Sequence, residues 1–285
     1  MERTKPAEET NEYYSEKMKD LQYRRKSARR RQIARRKRKF YVLISLVMVT
    51  FFGIGYAVSH AMGNIETAEV TSSGKSSSQV QATTYVEPSS DYERVINRSY
   101  PIEPGYIAGT GELRTIANSG GKQMETNAAI NLEKMIADLN DAGMSIIVQS
   151  TYRTDADQEY LYNRQIGRQG GDELKAATIS AVPLTSEHQA GLAVDLSIDG
   201  NLDESFAETA QGQWLLEHCV EYGYIHRYTE DTMAITGIIW EPWHFRYVGS
   251  PEVAKAITDS GKCMEEYYGK FLDSEDIEPY LPYLK

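Results

Sequence analysis

Ser186-Glu187-His188-Gln189-Ala190-Gly191-Leu192-Ala193-Val194-Asp195 is the stretch on which the fold of this chain turns. Its end alternates: Ala193, Asp195 and Ser197 fall on one side, Val194, Leu196 and Ile198 on the other. That period of two is a strand's, and an apolar side turned to a core leaves Asp195 facing a cleft. His188 lies seven positions before Asp195 with Gly191 between them, a spacing suited to a turn that feeds a strand. Downstream, Glu241-Pro242-Trp243-His244 brings a second imidazole and a second carboxylate from a separate element. A catalytic zinc takes three protein ligands and keeps a fourth position for water, so His188, Asp195 and His244 meet the count. Glu241 is then the candidate base for the water's proton, with Pro242-Trp243 setting its angle to His244. A lone histidine is ordinarily a surface or satisfied core residue; the ordered combination is what favours Zn2+. The competing role for Glu241 is a hydrogen bond to neighbouring backbone or to Arg246.

Working outward, apolar residues at Ala128, Leu132, Met135, Ile136 and Leu139 predict a helix over 127–142, with Gly143 at its C-terminal cap. Residues 145–150 read as a short buried strand, and 155–167 as a second helix with Thr154 as N-cap. Residues 170–183 read as a loop approaching the first motif. A third helix is expected over 206–222, short strands over 223–228 and 236–240, and a last helix after Ser250-Pro251. Helices and strands mix without a regular crossover rhythm, so the expected class is α+β: a small antiparallel central sheet flanked by helices around a zinc cleft.

The total charge of −10 over 285 residues hides an asymmetry. Residues 1–39 carry fifteen Lys/Arg against six Asp/Glu, a balance of +9 that leaves −19 on the rest. Directly after this basic segment, residues 40–62 contain no Asp, Glu, Lys or Arg. Their length suits a single transmembrane helix, and the basic flank places the N-terminus in the cytoplasm and the acidic body outside. A cleaved signal peptide competes, with small residues at Ala57, Ser59 and Ala61, but the preceding region is long for one. An acidic body argues against nucleic acid as a partner. Residues 63–94, rich in Ser, Thr, Gln and Glu, read as a flexible extracellular linker; 95–268 hold the catalytic domain and 269–285 a tail. The two cysteines, Cys219 and Cys263, could pair on the oxidising side or stay free.

Arg153 follows the strand over 145–150, where a loop can present a guanidinium to a substrate carboxylate or scissile carbonyl. From residue types alone, an ion pair with an acidic neighbour explains Arg153 as well. The pattern Ser186-x-His188-x-x-Gly191-x-Ala193-x-Asp195, with Glu241-Pro242-Trp243-His244-Phe245-Arg246-Tyr247-Val248-Gly249, closely resembles the VanY-type D-alanyl-D-alanine carboxypeptidases. These are zinc metallopeptidases grouped with lysostaphin-like enzymes and hedgehog domains. Tyr152-Arg153 with Gln158 resembles the family's substrate-binding segment, and the likeness covers 95–268. The resemblance implies zinc on His188, Asp195 and His244, Glu241 as base, and Arg153 at the substrate or its developing oxyanion. It also implies that Gln158 and Ser186 help hold the terminal residue, although Ser186 alone reads equally as a turn-forming hydroxyl. The implied reaction removes the C-terminal D-alanine of a peptidoglycan stem peptide by attack of a Glu-activated, zinc-bound water. An endopeptidase, an L,D-carboxypeptidase or a non-catalytic zinc-stabilised binding module would use the same metal residues. His226, where the family more often has an apolar residue, is expected at an exposed strand position. His218 and His60 have no claim as ligands.

Overall fold

The computed structural model of the chain describes residues 85–284. The expected span over 40–62 and most of the expected linker lie outside the described residues. Among the described residues, no helix is long and apolar enough to cross a membrane.

Two antiparallel sheets organise the fold. A two-stranded ribbon pairs β1 (Leu113–Thr115) with β2 (Gln123–Glu125). The central sheet joins β3 (Ile147–Ser150), β4 (Ala193–Ser197), β5 (Tyr224–His226) and β6 (His244–Tyr247) in the order β3-β4-β6-β5, every pair antiparallel. The mixed α+β class is therefore as expected.

One face of this sheet carries Val148, Val194, Leu196, Tyr224, Phe245 and Tyr247 into the main core. Against it packs α1 (Thr126–Asp141) through Ala128, Leu132, Met135 and Leu139, all fully buried. Burying each of the three larger side chains contributes about 1.5–3 kcal/mol. Both oxygens of Glu125 work at the start of α1: one accepts from the N–H groups of Asn127 and Ala128, the other from the Thr110 hydroxyl and Tyr92. Gly143, at φ 79°, takes up the left-handed turn that ends the helix.

Next comes α2 (Asp155–Arg168), with Thr154 at its N-cap as its sequence predicts, and Asp157 closing a reciprocal cap with it. Residues 170–183 are not all loop: α3 (Glu173–Ala177) sits among them, capped by Asp172. The helix expected over 206–222 is broken into a 3-10 turn at Glu204–Glu208, α4 (Ala210–His218) and a second 3-10 turn at Cys219–Tyr222. Thr209, extended at ψ 156°, interrupts the run because its hydroxyl caps α4 through Gly212 N–H. No strand forms over 236–240. A short helix, α5 (Met233–Thr236), ends there at Gly237, and the strand begins instead at His244. The strand at 145–150 is also less buried than expected, with Ile147 exposed.

Beyond the sheet, α6 (Pro251–Asp259) starts on the Ser250 cap, and α7 (Met264–Tyr268) closes a second core with Val95, Ile225, Val248 and Ile257. The packed unit is wider than the expected 95–268. Upstream, Glu93 is buried and accepts from the Tyr268 hydroxyl. Downstream, α8 (Ser274–Ile277) is tied to Ser99 through Asp276, and Arg98 lies 3.9 Å from the centre of the Tyr280 ring. Cys219 and Cys263 are both buried free thiols.

Candidate active site

Strand register brings the site together. Asp195 of β4 pairs with Ser150 of β3 on one side and with His244 of β6 on the other. An irregularity between Val148 and Ser150 shifts the β3 register by one residue, which re-aims Ser150. Side chains of paired residues share a face, so Ser150, Asp195 and His244 stand in a row away from the α1 core. His188 reaches the same face from the loop before β4. Its carbonyl accepts from the N–H groups of Gly191 and Arg153, which pins the loop to the segment after β3.

The donor atoms converge. His188 Nε2 lies 3.3 Å from Asp195 Oδ2, and His244 Nδ1 lies 3.1 Å from Asp195 Oδ1. One ligand atom from each of the three residues falls within 4.8 Å of the others, and all three residues are buried. Ligands bonded at about 2.0–2.2 Å in a tetrahedron stand about 3.3–3.6 Å apart, so the two separations from Asp195 are close to those around a small divalent ion. The tautomers fit as well. His188 Nδ1 sits 2.8 Å from the Thr151 carbonyl, an acceptor only, so Nδ1 carries the proton and a lone pair remains on Nε2. Burial lowers the His188 pKa to about 4, with Arg153 acting in the same direction, so this imidazole is neutral near pH 7. A neutral nitrogen lone pair facing a carboxylate is repulsive without a cation between them. The residues therefore suit a bound metal ion.

Glu241 belongs to a turn rather than to the end of a strand. Its N–H donates to the Tyr228 carbonyl and its carbonyl accepts from His244 N–H, so the candidate base is one turn before the candidate ligand. Its Oε2 lies 3.7 Å from His244 Nδ1. Burial pushes the Glu241 carboxyl up to about 8; His244 opposes this and the Asp195 charge reinforces it. An upward-shifted carboxyl beside a ligand set is suited to proton transfer near neutral pH. Arg246 is not its partner, contrary to the competing reading, because its guanidinium bonds the Tyr92 and Arg94 carbonyls and approaches Glu187.

Arg153 turns towards this cluster. Its Nη2 donates to Asp195 Oδ2 at 3.0 Å, Nε and Nη2 to the Ser150 hydroxyl, and Nη1 to Gln158 Oε1 at 3.2 Å. Gln158 is fully buried and its amide N–H donates to the Ala181 carbonyl at 2.6 Å. Both ends of Gln158 are thus engaged within the protein, and its visible task is to hold Arg153. Ser186 is buried at the start of the loop that carries His188.

His226 departs from expectation. It is half-buried rather than exposed, and Nε2 donates to the Glu241 carbonyl at 3.2 Å, supporting the backbone of Glu241. Sequence reasoning passed over Glu187, Arg227, Glu265 and Tyr228. The first three form a buried charge network with Arg246, and the Tyr228 ring lies 4.8 Å from that of His244. An ionisable residue beside a candidate ligand was the available signal at Glu187. Glu265 offered none, because only folding brings it within 2.7 Å of Arg227.

Comparison with known proteins bears on this arrangement. A family model described as VanY, D-alanyl-D-alanine carboxypeptidase, matches residues 121–250. A D-alanyl-D-alanine carboxypeptidase of Enterococcus faecalis is 36% identical over 184 residues, covering 61% of this chain and 64% of that protein. The chain thus spans less than two thirds of that curated relative's length. Among solved structures, VanYB in complex with D-alanine-D-alanine is 33% identical with a TM-score of 0.55, covering 63% of this chain and 98% of that one. A vancomycin-resistance D,D-pentapeptidase VanY variant in complex with Zn(II) is likewise 33% identical, with a TM-score of 0.54 and coverage of 62% and 98%. The LdcB LD-carboxypeptidase is 30% identical with a TM-score of 0.54, covering 62% of this chain and 85% of that one. Near-complete coverage of VanYB at this identity, on a shared fold, leaves one assignment: the chain belongs to the VanY D-alanyl-D-alanine carboxypeptidase family.

Proposed function

We propose that this protein is a zinc-dependent carboxypeptidase that removes the C-terminal D-alanine from peptidoglycan stem peptides. The observation that carries the reading is the convergence of His188, Asp195 and His244 with the Glu241 carboxyl and the Arg153 guanidinium on one face of the sheet. His188, Asp195 and His244 would hold the zinc ion, which when bound would supply Lewis-acid polarisation and acidify a water molecule. Glu241, whose carboxyl stands beside the ligand set, would take the proton of the attacking water and deliver it to the leaving amine, the charge of a bound metal ion favouring its ionised form. Arg153, braced by Ser150 and Gln158, offers N–H donors to the oxyanion that develops on the scissile carbonyl, or to the terminal carboxylate. The Ser186 hydroxyl, at the head of the loop that carries His188, is given a part in holding the terminal residue by the resemblance to the family. We place the domain outside the cell, tethered through residues 40–62, on the strength of the basic segment that precedes them.

The likeness to LdcB favours one second reading, an L,D-carboxypeptidase acting on tetrapeptides. Both are tested by incubating the full chain with stem peptides ending in D-Ala-D-Ala or in a single D-Ala. Release of D-alanine from the pentapeptide, stopped by a chelator and restored by zinc, is expected. Release from the tetrapeptide alone would establish the second reading, and no release from either would refute the enzyme.

A further inference from the structure

The ligand His244 is held from behind by a side chain. Glu187 is almost wholly buried, with Oε1 2.7 Å from Arg227 Nε and Oε2 3.3 Å from His244 Nε2. Arg246 Nη1 lies 2.8 Å from Oε1, a close charge contact in which the N–H does not point at the oxygen. We infer that Glu187 is the positioning residue that fixes the tautomer of His244, and that Arg227 and Arg246 keep Glu187 in place as an anion. The inference rests on the metal reading of the His188, Asp195 and His244 cluster.

A carboxylate between two guanidiniums is an acceptor only, so the nitrogen that faces it must carry the proton. For His244 this is Nε2, so Nδ1, 3.1 Å from Asp195, is the nitrogen left to a metal ion. His188 is arranged the opposite way, with Nδ1 held by the Thr151 carbonyl and Nε2 facing Asp195. The two imidazoles thus offer opposite nitrogens to one point, and only His244 depends on a side chain for its orientation. A partner on the far nitrogen of a ligating imidazole commonly raises metal affinity about 10–100-fold.

The alternative is that Glu187 merely balances buried cations. Glu265 provides the control: it binds Arg227 at 2.9 and 2.7 Å and shares in that balance, yet it is not among the groups that touch His244. Full chain purified in mild detergent is titrated with zinc against a chromophoric chelator, and imidazole nitrogen shifts are read by NMR. Wild-type protein should show His244 metallated at Nδ1 with a protonated, hydrogen-bonded Nε2. Glu187→Gln should weaken zinc binding by about tenfold or more and displace the Nε2–H resonance, while Glu265→Gln should change affinity by less than about threefold. Equal losses in the two variants, or unchanged affinity in Glu187→Gln, would overturn the inference. Should Glu187→Gln fail to fold, the wild-type spectrum decides: zinc on Nε2 of His244 refutes the assignment, and zinc on Nδ1 with Nε2–H intact supports it. Wild-type protein that binds no zinc would instead refute the metal reading itself.

Discussion

Substituting Gly191 by alanine tests whether the loop between His188 and Asp195 must follow its observed path. Gly191 sits at φ 73°, and an added Cβ would lie 2.9 Å from the backbone nitrogen of Glu125, with Glu125 Cβ and Leu113 Cδ2 each at 3.3 Å. The left-handed conformation costs a residue with a Cβ about 1–2 kcal/mol. Relieving a contact with buried backbone costs about 1–3 kcal/mol more. Gly191→Ala should therefore destabilise the protein by about 2–5 kcal/mol, read as a lower midpoint in urea or as a melting temperature reduced by about 2–4 °C per kcal/mol. The shift should also reach the site. Gly191 N–H donates to the His188 carbonyl at 3.1 Å, and the same carbonyl accepts from Arg153 N–H at 3.2 Å, so displacing residue 191 disturbs the candidate ligand His188 and the Arg153 segment together. Zinc affinity should fall along with stability. Gly143→Ala is the control, since Gly143 has φ 79° with nothing within 4 Å of its added Cβ, and only the conformational cost of about 1–2 kcal/mol applies. A Gly191→Ala protein no less stable than Gly143→Ala, with normal zinc affinity, would refute the steric argument.

Three further outcomes are expected. Glu241→Gln should retain zinc while turnover falls about 10²–10⁴-fold, measured as D-alanine release beside metal content; retained turnover would remove Glu241 as the base. Arg153→Lys keeps a charge but loses the fork that spans Ser150, Gln158 and Asp195, so kcat should fall about 10²–10³-fold with the fold intact by circular dichroism. His226 should make stability depend on pH. Burial lowers its pKa from 6.5 to about 4, with the hydrogen bond to the Glu241 carbonyl only partly opposing this. The unfolded chain therefore takes up a proton that the folded chain refuses, and this contribution to stability declines as pH falls from 6.5 towards 4. Urea midpoints across that range should fall less for His226→Gln than for wild type.

The legible parts of this fold were those written in local pattern. The period-two run from Ala193 correctly sent Asp195 away from Val194 and Leu196, because a strand alternates its faces whatever it packs against. Thr154, and Ser250 with Pro251, marked helix starts because caps act within a few residues. The same local reasoning erred where a cap within a run went unread or where a distant group decided the outcome. Thr209 divides the expected helix over 206–222 by capping α4, and the turn at Glu241 replaces the expected strand before His244 because Glu241 N–H is taken by the Tyr228 carbonyl.

For the site, residue types and spacing alone determined the candidate ligands, His188, Asp195 and His244, and the candidate base, Glu241, since metal chemistry restricts which side chains can serve. Only the tertiary structure decided which nitrogen of each imidazole faces Asp195, that Gln158 braces Arg153, and that His226 lies against the Glu241 backbone rather than in solvent. It also revealed Glu187 behind His244, with Arg227, Arg246 and Glu265 around it. Orientation and protonation are set by whichever group stands within about 3 Å in the folded chain, and residues 187 and 265 become neighbours of one guanidinium only when the strands and α7 have packed.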